Sequence, residues 1–207
     1  MYKYFFKRLF DFFISLVVLL CLSPLLLIIT SWLHFANKGA GVFFCQSRPG
    51  KNGKIFKIIK YKSMTDERDE HGNFLPDVQR LTSVGRFIRA TSIDELPQFI
   101  NVLMGDMALI GPRPLLTEYL PYYTEREKLR HVVRPGITGY TQVHGRNNLS
   151  WDERLEMDVY YVEHLSLCLD IKIVLRTVVN VITRKDVQVI TGDQVTSKLS
   201  QQRQICK

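Results

Sequence analysis

A chain of 207 residues has room for one domain with a sizeable core. Its 28 Lys and Arg against 20 Asp and Glu leave a net charge of +8, which calls for an anionic partner such as nucleic acid, anionic lipid or a phosphorylated substrate. The four cysteines (Cys21, Cys45, Cys168, Cys206) are scattered with no C-x-x-C, which argues against a disulfide framework or a zinc site and suits a reducing compartment.

The first element in chain order is an apolar run from Phe12 to Phe35, whose only ionisable side chain is His34. As a helix it would extend about 36 Å, enough for a hydrocarbon core of roughly 30 Å. It is too long for a cleavable signal peptide, and no A-x-A site follows it. Lys3, Lys7 and Arg8 precede the run, while Lys38, Arg48, Lys51 and Lys54 follow it. The positive-inside tendency then puts both flanks in the cytoplasm, which one straight span cannot satisfy. Ser23-Pro24 lies at the centre. A helix that enters, breaks there and returns satisfies both flanks, with Ser23 able to bond backbone groups freed by the kink. A kinked single-pass anchor is the alternative. The expected organisation is a re-entrant membrane helix over 1–36, a globular unit over 37–190 and a polar, mobile tail over 191–207.

Between Lys38 and Lys62 stand seven bases and no acid, a surface attracted to an anionic phospholipid membrane at roughly 1 kcal/mol per base. Pro49-Gly50-Lys51-Asn52-Gly53 reads as a turn, so Val42–Arg48 and Lys54–Ser63 are expected to form a β-hairpin, with a helix as the alternative because Ile55, Phe56, Ile58 and Ile59 fit helical spacing as well. Lys60 and Lys62 could reach into a phosphate site. Thr65–Pro76 reads as a polar loop.

The stretch Gly85–Pro114 concentrates the chemistry. Adjacent carboxylates, Asp94 and Glu95, follow Arg86 and Arg89, and Arg113 sits between Pro112 and Pro114. One carboxylate can attack phosphorus or hold Mg²⁺, and guanidinium forks neutralise phosphate oxygens. The same residues also fit a plain capping box, with Ser92 as N-cap and Glu95 at N3 of a helix running to Met104.

Beyond the dyad, Leu116–His131 is expected to be helical and Arg134–Gly139 a rigid turn. Gly145–Asn148 reads as a loop, and a second capping box at Ser150–Glu153 opens a helix to about His164. Lone His131, His144 and His164 read as structural. Leu169–Arg184 carries the pattern of an interfacial amphipathic helix.

Taken together, these motifs resemble the bacterial sugar transferase family, the monotopic phosphoglycosyl transferases. The resemblance rests on Lys7-Arg8-x-x-Asp11, Ser23-Pro24, Gln46-Ser47-Arg48-Pro49-Gly50, Lys60-Tyr61-Lys62-Ser63-Met64, Asp94-Glu95-Leu96-Pro97-Gln98, Gly111-Pro112-Arg113-Pro114, Arg134–Gly139 and Asp158-x-x-Tyr161. Asp66–Glu70 and Pro114–Pro121 look closest to the small enzymes that transfer phospho-N,N'-diacetylbacillosamine to undecaprenyl phosphate. Tyr61-Lys62 and Tyr140-Thr141 depart from the commoner Phe-Arg and Trp-Ala.

The resemblance implies a helix-rich mixed α/β monotopic membrane protein, with a re-entrant helix hairpin, a small β-hairpin and interfacial helices around the active site. It implies transfer of a sugar 1-phosphate from a UDP-sugar to undecaprenyl phosphate at the cytoplasmic face of the inner membrane, with Mg²⁺ as cofactor and UMP released. Asp94 then resembles the nucleophile, and Glu95 a partner that orients the site or helps hold Mg²⁺. Lys60, Lys62, Arg89, Arg113, Arg146 and Asp158 match the phosphate- or nucleotide-binding set, with no role assigned to Asp158. No nucleic-acid partner is expected. Two rivals stand beside this reading. A UDP-sugar glycosyltransferase would release UDP and place its metal on an Asp-x-Asp motif, which this chain lacks. A basic, membrane-anchored binding protein would leave the dyad beside its arginines unexplained.

Overall fold

The computed structural model describes residues 2–145, 149–183 and 199–205. The apolar run lies within one helix, α1 (Lys7–Ala36), preceded by a π-helical turn over Tyr2–Phe6. Pro24 sits inside α1. Its ring removes the N–H that would bond Leu20 O, and Ser23 Oγ donates to that same carbonyl at 2.8 Å. Helical structure therefore continues through Ser23-Pro24 as one element, where the sequence suggested two limbs.

Both ends of α1 are held by the same folded body. At the start, Lys7 Nζ pairs with Asp170 Oδ2 at 2.7 Å, Arg8 donates to Val102 O and Leu103 O, and Asp11 Oδ1 accepts from Leu109 N–H. At the end, Ile29 and Leu33 pack on Tyr61, Val84 and Ile88, and the Tyr61 hydroxyl donates to Leu26 O. Between Ser15 and Ile29 no residue is buried; Leu20, Leu27 and Ile28 are 65%, 67% and 63% exposed. So large an apolar surface needs a partner other than water.

The expected hairpin is present. Strands β1 (Phe43–Pro49) and β2 (Ile55–Tyr61) pair antiparallel, Phe43 opposite Tyr61 and Pro49 opposite Ile55. Their 3₁₀ connection, Lys51–Gly53, holds Asn52 at φ 56°. Phe56 and Ile58 of β2 pack on Met107 and on Val102 of α4 (Gln98–Met104). The polar stretch beyond β2 stays largely irregular up to the short α2 (Asp77–Arg80), and α3 (Ser83–Ala90) follows, capped by Thr82 Oγ1. A Cβ at Gly85 would lie 1.8 Å from Ser63 O, so glycine alone lets α3 lie this close to the chain leaving β2.

Four local expectations are corrected. Arg134–Gly139 is not only a turn, because β4 (Gly136–Thr138) pairs in parallel with β3 (Ala108–Ile110). Leu116–His131 is not one helix. It splits into 3₁₀ turns Thr117–Tyr122 and Leu129–His131 around α5 (Glu125–Lys128), since Pro121 interrupts it and Thr124 opens a capping box. The capping box at Ser92 does not form. Ser92 adopts a left-handed φ of 56° with no side-chain cap, Ile93–Glu95 is a 3₁₀ turn, and α4 starts only after Pro97. Finally, the C-terminal stretch is not wholly a free tail, because α9 (Leu199–Ile205) docks. Leu199 is fully buried among Tyr119, Tyr123 and Leu155, and Arg203 pairs with Glu127 at 2.7 Å.

The remaining helices are α6 (Tyr140–Gly145), α7 (Trp151–Glu163) and α8 (Leu167–Ile182). The capping box at Ser150–Glu153 opens α7 as expected. Helix α8 buries Asp170 and Ile173 but exposes Ile171, Val174, Leu175, Val178 and Ile182, an apolar face of the interfacial kind. The architecture is a helix-rich mixed α/β body with a long apolar N-terminal helix and a small β-hairpin.

Candidate active site

The dyad sits in a tight corner between α3 and α4. Thr91 closes α3, Ser92 turns the chain in the left-handed region, and Ile93–Glu95 forms one 3₁₀ turn before Pro97. A serine held there costs of order 1 kcal/mol, and such strain persists only where the surroundings over-determine it. The corner directs Asp94 and Glu95 towards β2 and the Pro112-Arg113-Pro114 segment.

The two carboxylates are treated differently. Glu95 Oε1 accepts from Lys60 Nζ at 2.6 Å and from Arg113 Nη2 at 2.8 Å. Burial alone would raise its pKa, but the charges of Arg113 and Lys60 and their hydrogen bonds outweigh it and hold the carboxyl well below the usual range. Asp94 accepts no hydrogen bond among the described residues. Burial, then the negative charge of Glu95, raise its carboxyl to about 6, against the pull of Lys60, Arg89 and Arg113. One carboxylate is thus clamped and held in its ionised form at neutral pH, while its neighbour has a raised pKa and no hydrogen-bond donor among the described residues.

Cations converge on this pair. Arg89 is fixed by Nε donating to Ser63 Oγ at 2.8 Å, a contact that depends on the close approach at Gly85. Arg113 is placed through its backbone: its carbonyl accepts from Arg130 Nη2 at 2.7 Å, and buried Arg130 is gripped by Asp158 Oδ2 at 2.7 and 3.1 Å. Thr141 Oγ1 holds the other Asp158 oxygen at 2.7 Å.

Of the candidates, Lys60, Arg89 and Arg113 are brought together around Asp94 and Glu95. Lys62 is not: it pairs with Asp66 and donates to Ala40 O. Asp158 does not offer itself to a phosphate either. It is buried against Arg130 and acts as a support for the Arg113 segment. Arg146 lies outside the described residues. Two contributors escaped the sequence reading. Arg130 fell within the stretch expected to form one helix, and Arg48 within the basic flank; burial, then the nearby charge of Arg113, lowers the Arg48 pKa. The signal for Arg48 was its motif, Gln46–Gly50; for Arg130 there was none. Arg113, Arg130, Thr141, Gln142, Trp151 and Arg154 line a cavity of about 280 Å³ next to the dyad.

Among the described residues no group of three or more His, Cys, Asp or Glu could hold a metal alone. Asp94 and the second oxygen of Glu95 nevertheless accept no hydrogen bond among the described residues, which leaves two adjacent hard oxygen donors. That set fits Mg²⁺, which keeps waters and takes one or two carboxylates together with substrate phosphates. Chemically, the site can bind phosphate oxygens and present one unengaged carboxylate to them.

Comparison with known proteins shows which chains this one resembles. The chain is 50% identical over 182 residues to the uncharacterized sugar transferase EpsL of Bacillus subtilis, covering 88% of this chain and 90% of that protein. It is 37% identical over 199 residues to the undecaprenyl-phosphate galactose phosphotransferase of Salmonella typhimurium, covering 88% of this chain but 41% of that protein. It is 40% identical over 183 residues to the UDP-glucose:undecaprenyl-phosphate glucose-1-phosphate transferase of Klebsiella pneumoniae, covering 84% of this chain and 39% of that one. The bacterial sugar transferase family model matches residues 2–184, and the chain belongs to that family.

Proposed function

We propose that this protein transfers a sugar 1-phosphate from a UDP-sugar to undecaprenyl phosphate and releases UMP. The observation that carries the reading is the asymmetry of the dyad: a clamped Glu95 beside an Asp94 carboxylate free of hydrogen bonds among the described residues, facing Lys60, Arg89 and Arg113. The relatives from Salmonella typhimurium and Klebsiella pneumoniae, named as undecaprenyl-phosphate sugar transferases, support the substrate pair. An N-acetylated amino sugar such as diacetylbacillosamine is the proposed cargo, on the resemblance at Asp66–Glu70 and Pro114–Pro121.

In the first step an Asp94 oxygen attacks the β-phosphorus. A carboxylate–phosphorus bond forms, the bond from phosphorus to the bridging oxygen breaks, and UMP leaves with that oxygen and its electron pair. Lys60, Arg89 and Arg113 offset the repulsion between the anionic substrate and the carboxylate. In the second step an oxygen of undecaprenyl phosphate attacks the same phosphorus and Asp94 leaves as carboxylate. Glu95, ionised throughout, keeps Lys60 and Arg113 aimed at the phosphates. Mg²⁺ held by Asp94 and Glu95 would supply further positive charge to the diphosphate.

The membrane geometry follows the same reading. Both ends of α1 bond to one body while no residue between Ser15 and Ile29 is buried, which supports a helix that enters and leaves the cytoplasmic leaflet of the inner membrane. The dyad then lies at the depth of a prenyl phosphate headgroup. A panel of UDP-sugars with undecaprenyl phosphate, lipid and Mg²⁺ tests the function. UMP is expected as product, and UDP would establish the glycosyltransferase alternative. Without acceptor, at most one equivalent of UMP should appear, with phosphosugar retained in a hydroxylamine-sensitive bond.

A further inference from the structure

A second basic cavity lies away from the dyad, at the point where α1 leaves the body. It measures about 190 Å³, and its walls include Lys3, Lys7, Arg8, Lys51 and Arg134, with Asp11 as the one acid among its lining residues. Lys7 is neutralised by Asp170, but the other bases are not paired with carboxylates among the described residues.

The cavity is built, not a chance gathering of mobile side chains. Arg8 donates through both Nη atoms to Val102 O and Leu103 O, and Arg134 Nε donates to Gly105 O at 2.7 Å. These neighbouring carbonyls end α4, so they draw two guanidiniums together although the two repel each other. Gly105, at φ 90°, closes the helix, and a Cβ there would sit 3.3 Å from the Arg8 guanidinium. The Arg134 Nη groups remain without a partner among the described residues, a planar fork of the shape that grips a phosphate. Lys3 and Lys51 stand at the cavity as further uncommitted charges.

The surroundings select the source of the phosphate. Ala108, Val132, Val133 and Leu165 form the apolar part of the lining, with Val132 43% exposed, and the helix that carries Lys7, Arg8 and Asp11 runs on into the exposed apolar middle of α1. A ligand here has its head among bases and its tail along apolar side chains. A zwitterionic headgroup would bring its ammonium against Lys3 and Lys51, whereas an anionic headgroup adds no opposing charge.

We propose that this cavity is a discrete binding site for the phosphate headgroup of an anionic phospholipid, separate from the dyad, seating the chain at the lipid surface. The test is native mass spectrometry of the full chain, titrated in parallel with phosphatidylglycerol, phosphatidylcholine and inorganic phosphate. One phosphatidylglycerol per chain should be retained, about five- to tenfold more tightly than phosphatidylcholine. Arg134→Gln should abolish that preference. Lys51→Gln should reduce it several-fold; the Lys51 side chain makes no hydrogen bond among the described residues, so this variant stays informative if loss of the Gly105 contact perturbs the first. Lys57→Gln, an exposed base outside the cavity, should leave the lipid preference unchanged. Equal retention of the two lipids, or equal loss with Lys57→Gln, would overturn the proposal. Displacement of the lipid by an equal concentration of inorganic phosphate would overturn the lipid assignment in favour of a soluble phosphate ligand.

Discussion

Replacing Asp94 by Asn should abolish turnover and at the same time stabilise the protein above pH 6. The carboxyl is raised from an ordinary 3.8 to about 6, chiefly by burial and secondly by the charge of Glu95. Between these values the folded state binds more protons than the unfolded chain. Stability therefore falls as pH rises through that window and stays lower above it. The full shift corresponds to at most about 3 kcal/mol, and because Asp94 is only partly buried we expect about 1–2 kcal/mol. For a chain of this size that is an increase in Tm of a few degrees. The assay is thermal unfolding in lipid nanodiscs with chelator present, from pH 4 to 8, wild type against variant. The difference should be near zero at pH 4 and reach its plateau by about pH 7. His131, lowered to about 4 by burial and the Arg130 charge, gains stability with pH over part of the same range, but it contributes equally to both proteins and cancels. An Asp94→Asn variant that is destabilised equally at every pH would refute the reading of Asp94 as a desolvated, unengaged carboxylate.

Glu95→Gln should lower turnover by about two orders of magnitude or more, since Lys60 and Arg113 lose their common anchor; UMP release measures this. Asp158→Asn leaves the buried Arg130 without its counter-charge and should cost about 3–5 kcal/mol in denaturant unfolding. The apolar pair Arg130→Met with Asp158→Leu should recover much of that stability while activity stays low, because the Arg113 carbonyl has lost its donor. Replacing Ser23 and Pro24 by Ala and Leu removes the kink-prone centre of α1. Reporters fused to the two ends, both expected at the cytoplasmic face in the parent under the proposed topology, should then divide between the two faces in part of the population.

What could be read in the chain itself was local or strongly patterned. The long apolar run, the hairpin around Pro49–Gly53, the capping box of α7 and the dyad with Arg89 and Arg113 all declare themselves within a few residues of sequence. At Ser92 the same local logic failed. The spacing Ser-x-x-Glu is identical to the one that caps α7, yet α3 ends only two residues earlier, and the chain must turn through a left-handed serine to bring the dyad to Lys60. Lys62, two residues from Lys60, was an equal candidate by type. Its ties to Asp66 and to the Ala40 carbonyl engage it elsewhere. Asp158 and Arg130 lie 28 positions apart and meet because α7 packs beside the turn at Leu129–His131, so a contact that positions Arg113 has no local signature. The sequence by itself determined which segments are apolar, which are rigid and which residue types could serve phosphate chemistry, because those properties belong to side chains and their near neighbours. Tertiary structure decided which carboxylate is clamped and which left free, because burial and Coulomb interaction act across space between residues far apart along the chain.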